Sequence, residues 1–175
     1  SKDHQTGTDR VYEVFNNNLK NEPNIIINLQ GDMPNIDPKS ISDLASYMIK
    51  NRCDIGTLAS NLKDNSELND KNIVKVAVKE KFSQNIFLKA LDFFRKDIDN
   101  AYHLYHHIGI YAFTSDALSK YVNLKRSKLE LDRKLEQLRA LENNMSIHVG
   151  YVKTSPLSVD TEEDLIEVKK IMEKQ

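Results

Sequence analysis

A doubly wound α/β fold with a mostly parallel sheet is the architecture this 175-residue chain predicts. Three observations carry that prediction. Short β-branched runs alternate along the chain with amphipathic helical stretches, the order that lays helices on both faces of a sheet. The run Ile25-Ile26-Ile27 is followed at once by Asn28-Leu29-Gln30-Gly31-Asp32-Met33-Pro34, whose Gly and Pro force a sharp exit. Asp32 is thereby placed at the carboxyl end of a strand, where open α/β sheets hold their ligands. Finally, length and a 39% hydrophobic content suit one domain, residues 1–175, with a core of its own.

Taken in order, Thr8 or Asp9 caps a first helix to about Leu19, with Val11, Val14, Phe15 and Leu19 on one apolar face. A strand covers 24–29. Pro38 opens a second helix with Ile41, Leu44, Ala45 and Met48 facing inward. Residues 54–60 read as a strand, 61–72 as polar loop with room for a helical turn, and 73–78 as an alternating strand. Over 84–101 the pattern is ambiguous. Phe87, Leu88, Leu91, Phe94 and Ile98 fit a helix, and 86–88 also fits a strand leading into a loop. A strand at 107–113 and a short helix at 115–121 follow. Leu131, Leu135, Leu138 and Leu141 predict one continuous helix over 129–142. A strand at 146–152 precedes a last helix at 162–173, capped by Asp160 or by Thr161 with Asp164.

The bulk numbers exclude several classes. A net charge of −1 provides no general attraction to nucleic acid or to anionic membranes. The basic pairs Lys125-Arg126 and Arg133-Lys134 are interleaved with acids and read as solvated helix faces. Cys53 is the only cysteine, so it has no partner for an intrachain disulfide. It reads as a core thiol, and the cytoplasm is the expected compartment. No apolar run approaches a membrane span. The chain opens at Ser1 on dense polar residues, which reads as a domain entered partway along and incomplete at its N-terminus.

Asp32 and Asp160 are the candidate metal ligands. Mg²⁺ takes one or two carboxylates from a protein and fills its shell with phosphates and water. Asp is also at home in turns and at helix caps, and that reading stays open for both. Gly7, between Thr6 and Thr8, would let backbone approach a flat ligand, or it is simply a helix-entry loop. His107, Gly109 and Tyr111 share one face of a strand, with Gly109 leaving room between two rings. His106 and His107 point to opposite faces, which argues against zinc. Glu136, Gln137 and Arg139 form the polar side of the 129–142 helix, by default a solvated one.

Together these segments resemble the 3-deoxy-manno-octulosonate (Kdo) cytidylyltransferase family. The resemblance rests on Asp3-His4-Gln5-Thr6-Gly7-Thr8-Asp9-Arg10, the Asn28–Pro34 segment, Val74-Lys75-Val76 and His107-Ile108-Gly109-Ile110-Tyr111. It is completed by Leu135-Glu136-Gln137-Leu138-Arg139 and Val159-Asp160-Thr161-Glu162-Glu163-Asp164-Leu165. These occur in the family's order and cover almost the whole chain. The resemblance implies a nucleotide-diphospho-sugar transferase-like domain and a homodimer. It implies Mg²⁺-dependent transfer of CMP from CTP to the anomeric hydroxyl of Kdo, for lipopolysaccharide synthesis. By position, Asp32 and Asp160 would hold the metal and Thr6, Gly7 and Thr8 the nucleoside. Gln30, His107, Tyr111, Glu136 and Gln137 would contact the sugar acid.

Three departures from the family pattern stand out. The strand and basic, glycine-containing phosphate loop that open the family are missing, so this chain by itself is expected to be nearly or wholly inactive. A Phe-Ser-Arg segment of the sugar-acid site finds its nearest match in Phe87-Leu88-Lys89, which points to Lys89 and a weaker carboxylate grip. Arg133 stands where the family commonly has Glu. Two alternatives follow: a related acceptor such as an amino-substituted Kdo or a sialic acid, and a degenerate nucleotide-binding or dimerisation module.

Overall fold

The computed structural model describes residues 4, 6–19, 23–83, 86–96, 102–159 and 161–173. In chain order its elements are α1 (Gly7–Asn18), β1 (Ile25–Asn28), α2 (Pro38–Lys50), β2 (Ile55–Ser60), α3 (Asn65–Asn69), β3 (Lys75–Val78) and β4 (Phe87–Phe94). They continue with β5 (His103–Thr114), α4 (Ser115–Val122), α5 (Lys128–Arg133), α6 (Gln137–Glu142), β6 (Ile147–Tyr151) and α7 (Glu162–Met172).

The helices start where their caps dictate. Thr6, rather than Thr8 or Asp9, caps α1 in a reciprocal box with Asp9. Asp37 caps α2 ahead of Pro38. Thr161 and Asp164 close the box that begins α7; Asp160, the other candidate cap, lies outside the described residues. In α1 the apolar face is narrower than expected, with Phe15 buried but Val14 and Leu19 exposed.

The α/β class holds, with helices on both sides of the sheet, but the expected strand polarity does not. The six-stranded order is β1-β5-β2-β6-β4-β3, with β3 returning to β5. Among the described residues only β2–β6 is parallel; the pairs β1–β5, β2–β5, β3–β4, β3–β5 and β4–β6 are antiparallel. The 84–101 stretch explains much of this. Its described part, 86–96, forms neither a helix nor a short strand. It forms the eight-residue β4, which runs back between β3 and β6; Ile98 lies outside the described residues.

The long strand β5 organises the sheet. Its residues 106–113 pair along one edge with β2. The other edge pairs with β3 at 103–106 and with β1 at 111–114. Between those two, His107 N–H still donates to Val74 O at 2.9 Å, just ahead of β3, and residues 108–110 keep a stretch of edge that neither strand covers. The register with β2 also shifts here, from Thr57–Tyr111 to Leu58–Ile108, so β5 bulges at Gly109 and Ile110.

Two apolar clusters fill the two faces. Leu44 and Met48 of α2 pack with Leu58, Ile108, Ile110, Ala112 and Cys53 on one side. Phe15, Leu118, Tyr121, Leu135 and Leu138 pack with Tyr111, Phe113 and Val149 on the other. Cys53 is the expected core thiol. Burial pushes its pKa up to about 11, leaving it protonated and inert.

The predicted continuous helix over 129–142 is broken. Lys134 turns left-handed (φ 55°) and ends α5, and α6 restarts at Gln137. The break solves a packing conflict. On a straight helix Glu130 and Arg139, nine residues apart, would face opposite sides, whereas here both are buried, with Gln137, and meet. Glu130 accepts from Arg139 through both Nε (2.8 Å) and Nη2 (2.6 Å), and from Arg126 Nε. The periodic leucines hid this, because Leu135 and Leu138 are buried while Leu131 is exposed.

Candidate active site

The uncovered stretch of β5 edge opens into a cavity of about 540 Å³. Gln30 and Asp32 reach it from the β1–α2 loop, His107, Gly109 and Tyr111 from β5, and Glu136 and Gln137 from the α5–α6 break. Gln30 lies directly over Gly109, where a Cβ would come 3.6 Å from Gln30 Oε1. The room predicted at Gly109 is thus shared with a side chain of the same protein.

Asp32 Oδ1 is buried and has no hydrogen-bond partner. A solvent-excluded carboxylate oxygen without a partner is costly unless something else satisfies it. The Asp32 carbonyl accepts from the Val159 N–H at 2.8 Å, and Leu157 N–H donates to Asn35 Oδ1 at 2.9 Å. The 157–159 segment therefore runs beside the Asp32 loop. Asp160 itself falls outside the described residues. Among those residues no group of three His, Cys, Asp or Glu side chains could cage a metal. A hard cation that takes few protein ligands and the rest from phosphates fits this donor set.

Thr57 was not anticipated from sequence. Its hydroxyl lies 2.7 Å from Ile110 O, 3.2 Å from Ile108 O and 2.9 Å from His107 Nε2. One hydroxyl proton serves the carbonyls that the bulge frees, so His107 Nε2–H donates to Thr57 and Nδ1 is left as an acceptor. Burial holds the His107 imidazole neutral, its pKa lowered to about 3, with His106 adding to the effect. Burial likewise holds the Tyr111 hydroxyl well above its ordinary range.

Glu136 is positioned by the break and by a brace behind it. Tyr121 donates its hydroxyl to the Glu136 carbonyl at 2.8 Å, and the Arg139 guanidinium lies over the Tyr121 ring at 4.7 Å. Thr8 donates to Glu136 Oε1 at 2.9 Å, and Oε2 is buried without a partner. Burial raises the Glu136 pKa against the pull of the Thr8 and Thr6 hydroxyls.

The Thr6-Gly7-Thr8 segment lies alongside. Thr6 accepts at its cap and its hydroxyl, like that of Thr8, is directed to Glu136, so the segment offers the main chain at Gly7. Gly7, Arg10, Gln30, Gly31 and Glu136 line a groove of about 700 Å³. That groove shares Gln30 and Glu136 with the first cavity.

Two expectations need correction. Lys89 is exposed on β4, paired in register with His148, and does not line the cavity. Arg95 does line it. It follows β4 in Phe93-Phe94-Arg95, which keeps the Phe and the Arg of the Phe-Ser-Arg pattern in place, a better match than Phe87-Leu88-Lys89. Nor is the Arg133-Lys134 pair only a solvated face, although Lys134 is exposed and Arg133 half-buried. Arg133 Nη1 donates to both Asp92 carboxylate oxygens (2.7 and 2.9 Å) and to Phe93 O (2.9 Å), and Lys134 lines the cavity.

Residues 1–147 match the cytidylyltransferase family model. The 3-deoxy-manno-octulosonate cytidylyltransferase of Bartonella tribocorum is 45% identical over 97% of this chain and 70% of its own length. That of Paramagnetospirillum magneticum is 40% identical over 93% and 67%. A solved CMP:2-keto-3-deoxy-manno-octonic acid synthetase complexed with CTP superposes with a TM-score of 0.84 at 34% identity, covering 98% of this chain and 70% of that one. The 4-diphosphocytidyl-2C-methyl-D-erythritol synthase of Anaerococcus prevotii shares the fold at 13% identity and a TM-score of 0.57. With this sheet, this cavity and these relatives, the chain belongs to the cytidylyltransferase family, among the 3-deoxy-manno-octulosonate cytidylyltransferases.

Proposed function

We propose that the protein transfers CMP from CTP to the anomeric hydroxyl of Kdo, giving CMP-Kdo and pyrophosphate. The observation that carries this reading is the convergence of Gln30, Asp32, His107, Tyr111, Glu136 and Gln137, from three separate segments, on one cavity. The adjoining groove with Gly7 on its wall supports a two-substrate site. Nucleoside in the groove would abut sugar acid in the cavity across Gln30 and Glu136. The hydroxyl oxygen bonds to the α-phosphorus, the bond to the β-phosphate oxygen breaks, and pyrophosphate carries off the electron pair. The hydroxyl proton leaves to solvent.

Each side chain has a part to play. Asp32, through its unpartnered Oδ1, would hold a divalent cation together with Asp160. The Val159 to Asp32 main-chain bond supports that pairing. Mg²⁺ there supplies charge neutralisation at the phosphates. Arg95, with Lys134 nearby on the cavity wall, supplies the positive charge a sugar-acid carboxylate needs. His107 Nδ1 can accept a sugar hydroxyl, while Gln137 and Tyr111 fix orientation. An amino-substituted acceptor loses its main support, because Lys89 is outside the cavity.

The test is CTP- and Mg²⁺-dependent pyrophosphate release by protein made from the complete reading frame, on a panel of Kdo, amino-Kdo and sialic acid. Fastest release with Kdo is expected. No release with any member of the panel defeats the reading.

A further inference from the structure

Lys75 is fully buried on β3, and its ammonium takes no direct part in the site. Its hydrogen bonds go to main-chain carbonyls, those of Asp70 and, at 3.0 Å, Arg95. These carbonyls mark the two supports between which the Arg95 guanidinium is hung. Arg95 Nη1 donates to Lys71 O at 3.1 Å and to Asn72 O at 2.7 Å, just past Asp70. One cation thus pins the main chain at Arg95 and at the start of the 70–72 turn, and that turn pins the Arg95 side chain. The result is a closed loop of contacts that fixes the guanidinium at the cavity wall while leaving it further N–H donors.

A buried ammonium is an expensive way to join two stretches of backbone. A neutral side chain could fill the space, but only a multiply donating one can hold both carbonyls. Burial lowers the Lys75 pKa against the pull of the Asp70 carboxylate.

We propose that Lys75 is a positioning residue for the acceptor's carboxylate, acting through the backbone that suspends Arg95. The proposal rests on the assignment of Arg95 to that carboxylate, and the test separates the two.

Steady-state kinetics on Arg95→Lys, Lys75→Met and the double variant are compared. Arg95→Lys should raise KM for the sugar acid roughly tenfold to a hundredfold, with KM for CTP within about twofold. Lys75→Met should do the same, and the double variant should be little worse than either single one. If Arg95→Lys leaves the sugar-acid KM unchanged, the carboxylate assignment fails. If Arg95→Lys raises it and Lys75→Met does not, or Lys75→Met raises both KM values equally, the positioning role fails alone. Lys75→Gln, which keeps a donor, should recover part of the loss. Amide exchange on the unaltered protein gives a readout that depends on no variant surviving. Saturating sugar acid should slow residues 71–75 and 94–96 together, and unchanged exchange there overturns the proposal.

Discussion

Asp32 is the residue whose chemistry is most exposed to test. Asp32→Asn keeps shape and volume but removes the charge that a divalent cation would neutralise. Turnover should fall on the order of a hundredfold or more, because several kcal/mol of charge stabilisation leaves with the ligand. Circular dichroism and thermal melting should be nearly unchanged. Near-normal kcat would take Asp32 out of the metal site. His107 makes a different prediction. Its folded pKa of about 3 lies below the ordinary imidazole value, so the unfolded chain binds the extra proton between those limits. Stability is then complete above about pH 6.5 and declines as pH falls toward 3, by up to about 1.4 kcal/mol per pH unit for that one proton. His106 and His148 are shifted in the same direction by burial. Urea titrations between pH 7 and 5 should show this slope, and His107→Gln should reduce it by about one proton. An unchanged slope would falsify the buried neutral imidazole.

At the scale of elements, the α5–α6 break is the unit to perturb. Glu130 is fully buried and satisfies Arg139, Arg126 and its own cap, so Glu130→Ala leaves a buried guanidinium unpaired. A loss of about 3–5 kcal/mol in denaturant unfolding is expected. Arg133 ties α5 to the end of β4 through Asp92, and Arg133→Glu would set two carboxylates face to face. That pair is about a third exposed, so the cost should be near 1 kcal/mol and should shrink in high salt. The same elements show what sequence could and could not disclose. The Pro38 start of α2, the Thr161 box of α7, the β1 exit and the His107–Tyr111 face were legible because each is a local signal, whereas the α1 cap falls on Thr6, ahead of the expected Thr8 or Asp9. The break at Lys134 was not, since no glycine marks it and the leucine spacing survives it. Arg95 was missed, and the pattern placed on Lys89, because 84–101 had no assigned element and so no strand end to anchor it. Thr57 carried no signal, as its partners are carbonyls released by a bulge that pairing alone creates.

For the molecule as a whole, strand polarity was the main misreading. Alternation of strand and helix implies parallel crossovers only when a helix returns each strand, and the β3–β4 and β4–β6 pairs are antiparallel instead. The chain covers 70% of the length of its Bartonella tribocorum and Bartonella henselae relatives. Its net charge of −1 leaves anion capture to local groups rather than to a global field. Under the proposed assignments of Asp32 to the cation and Arg95 to the acceptor carboxylate, activity should vanish on chelation and return with Mg²⁺, while sugar-acid affinity should be far less sensitive to the chelator. Equal loss of both would place the cation in the acceptor pocket itself.

The long strand β5 has one more implication. Flanked by β2 on one side and by β3 and β1 at the two ends of the other, it has little margin from which to fray. Opening its ends requires parting partners on both sides at once, so the amides paired at 103–106 and 111–114 should surrender their protons only when the entire structure comes apart. The bulge at Gly109 and Ile110, on the cavity side, should exchange sooner, a soft spot clamped between two slow ends.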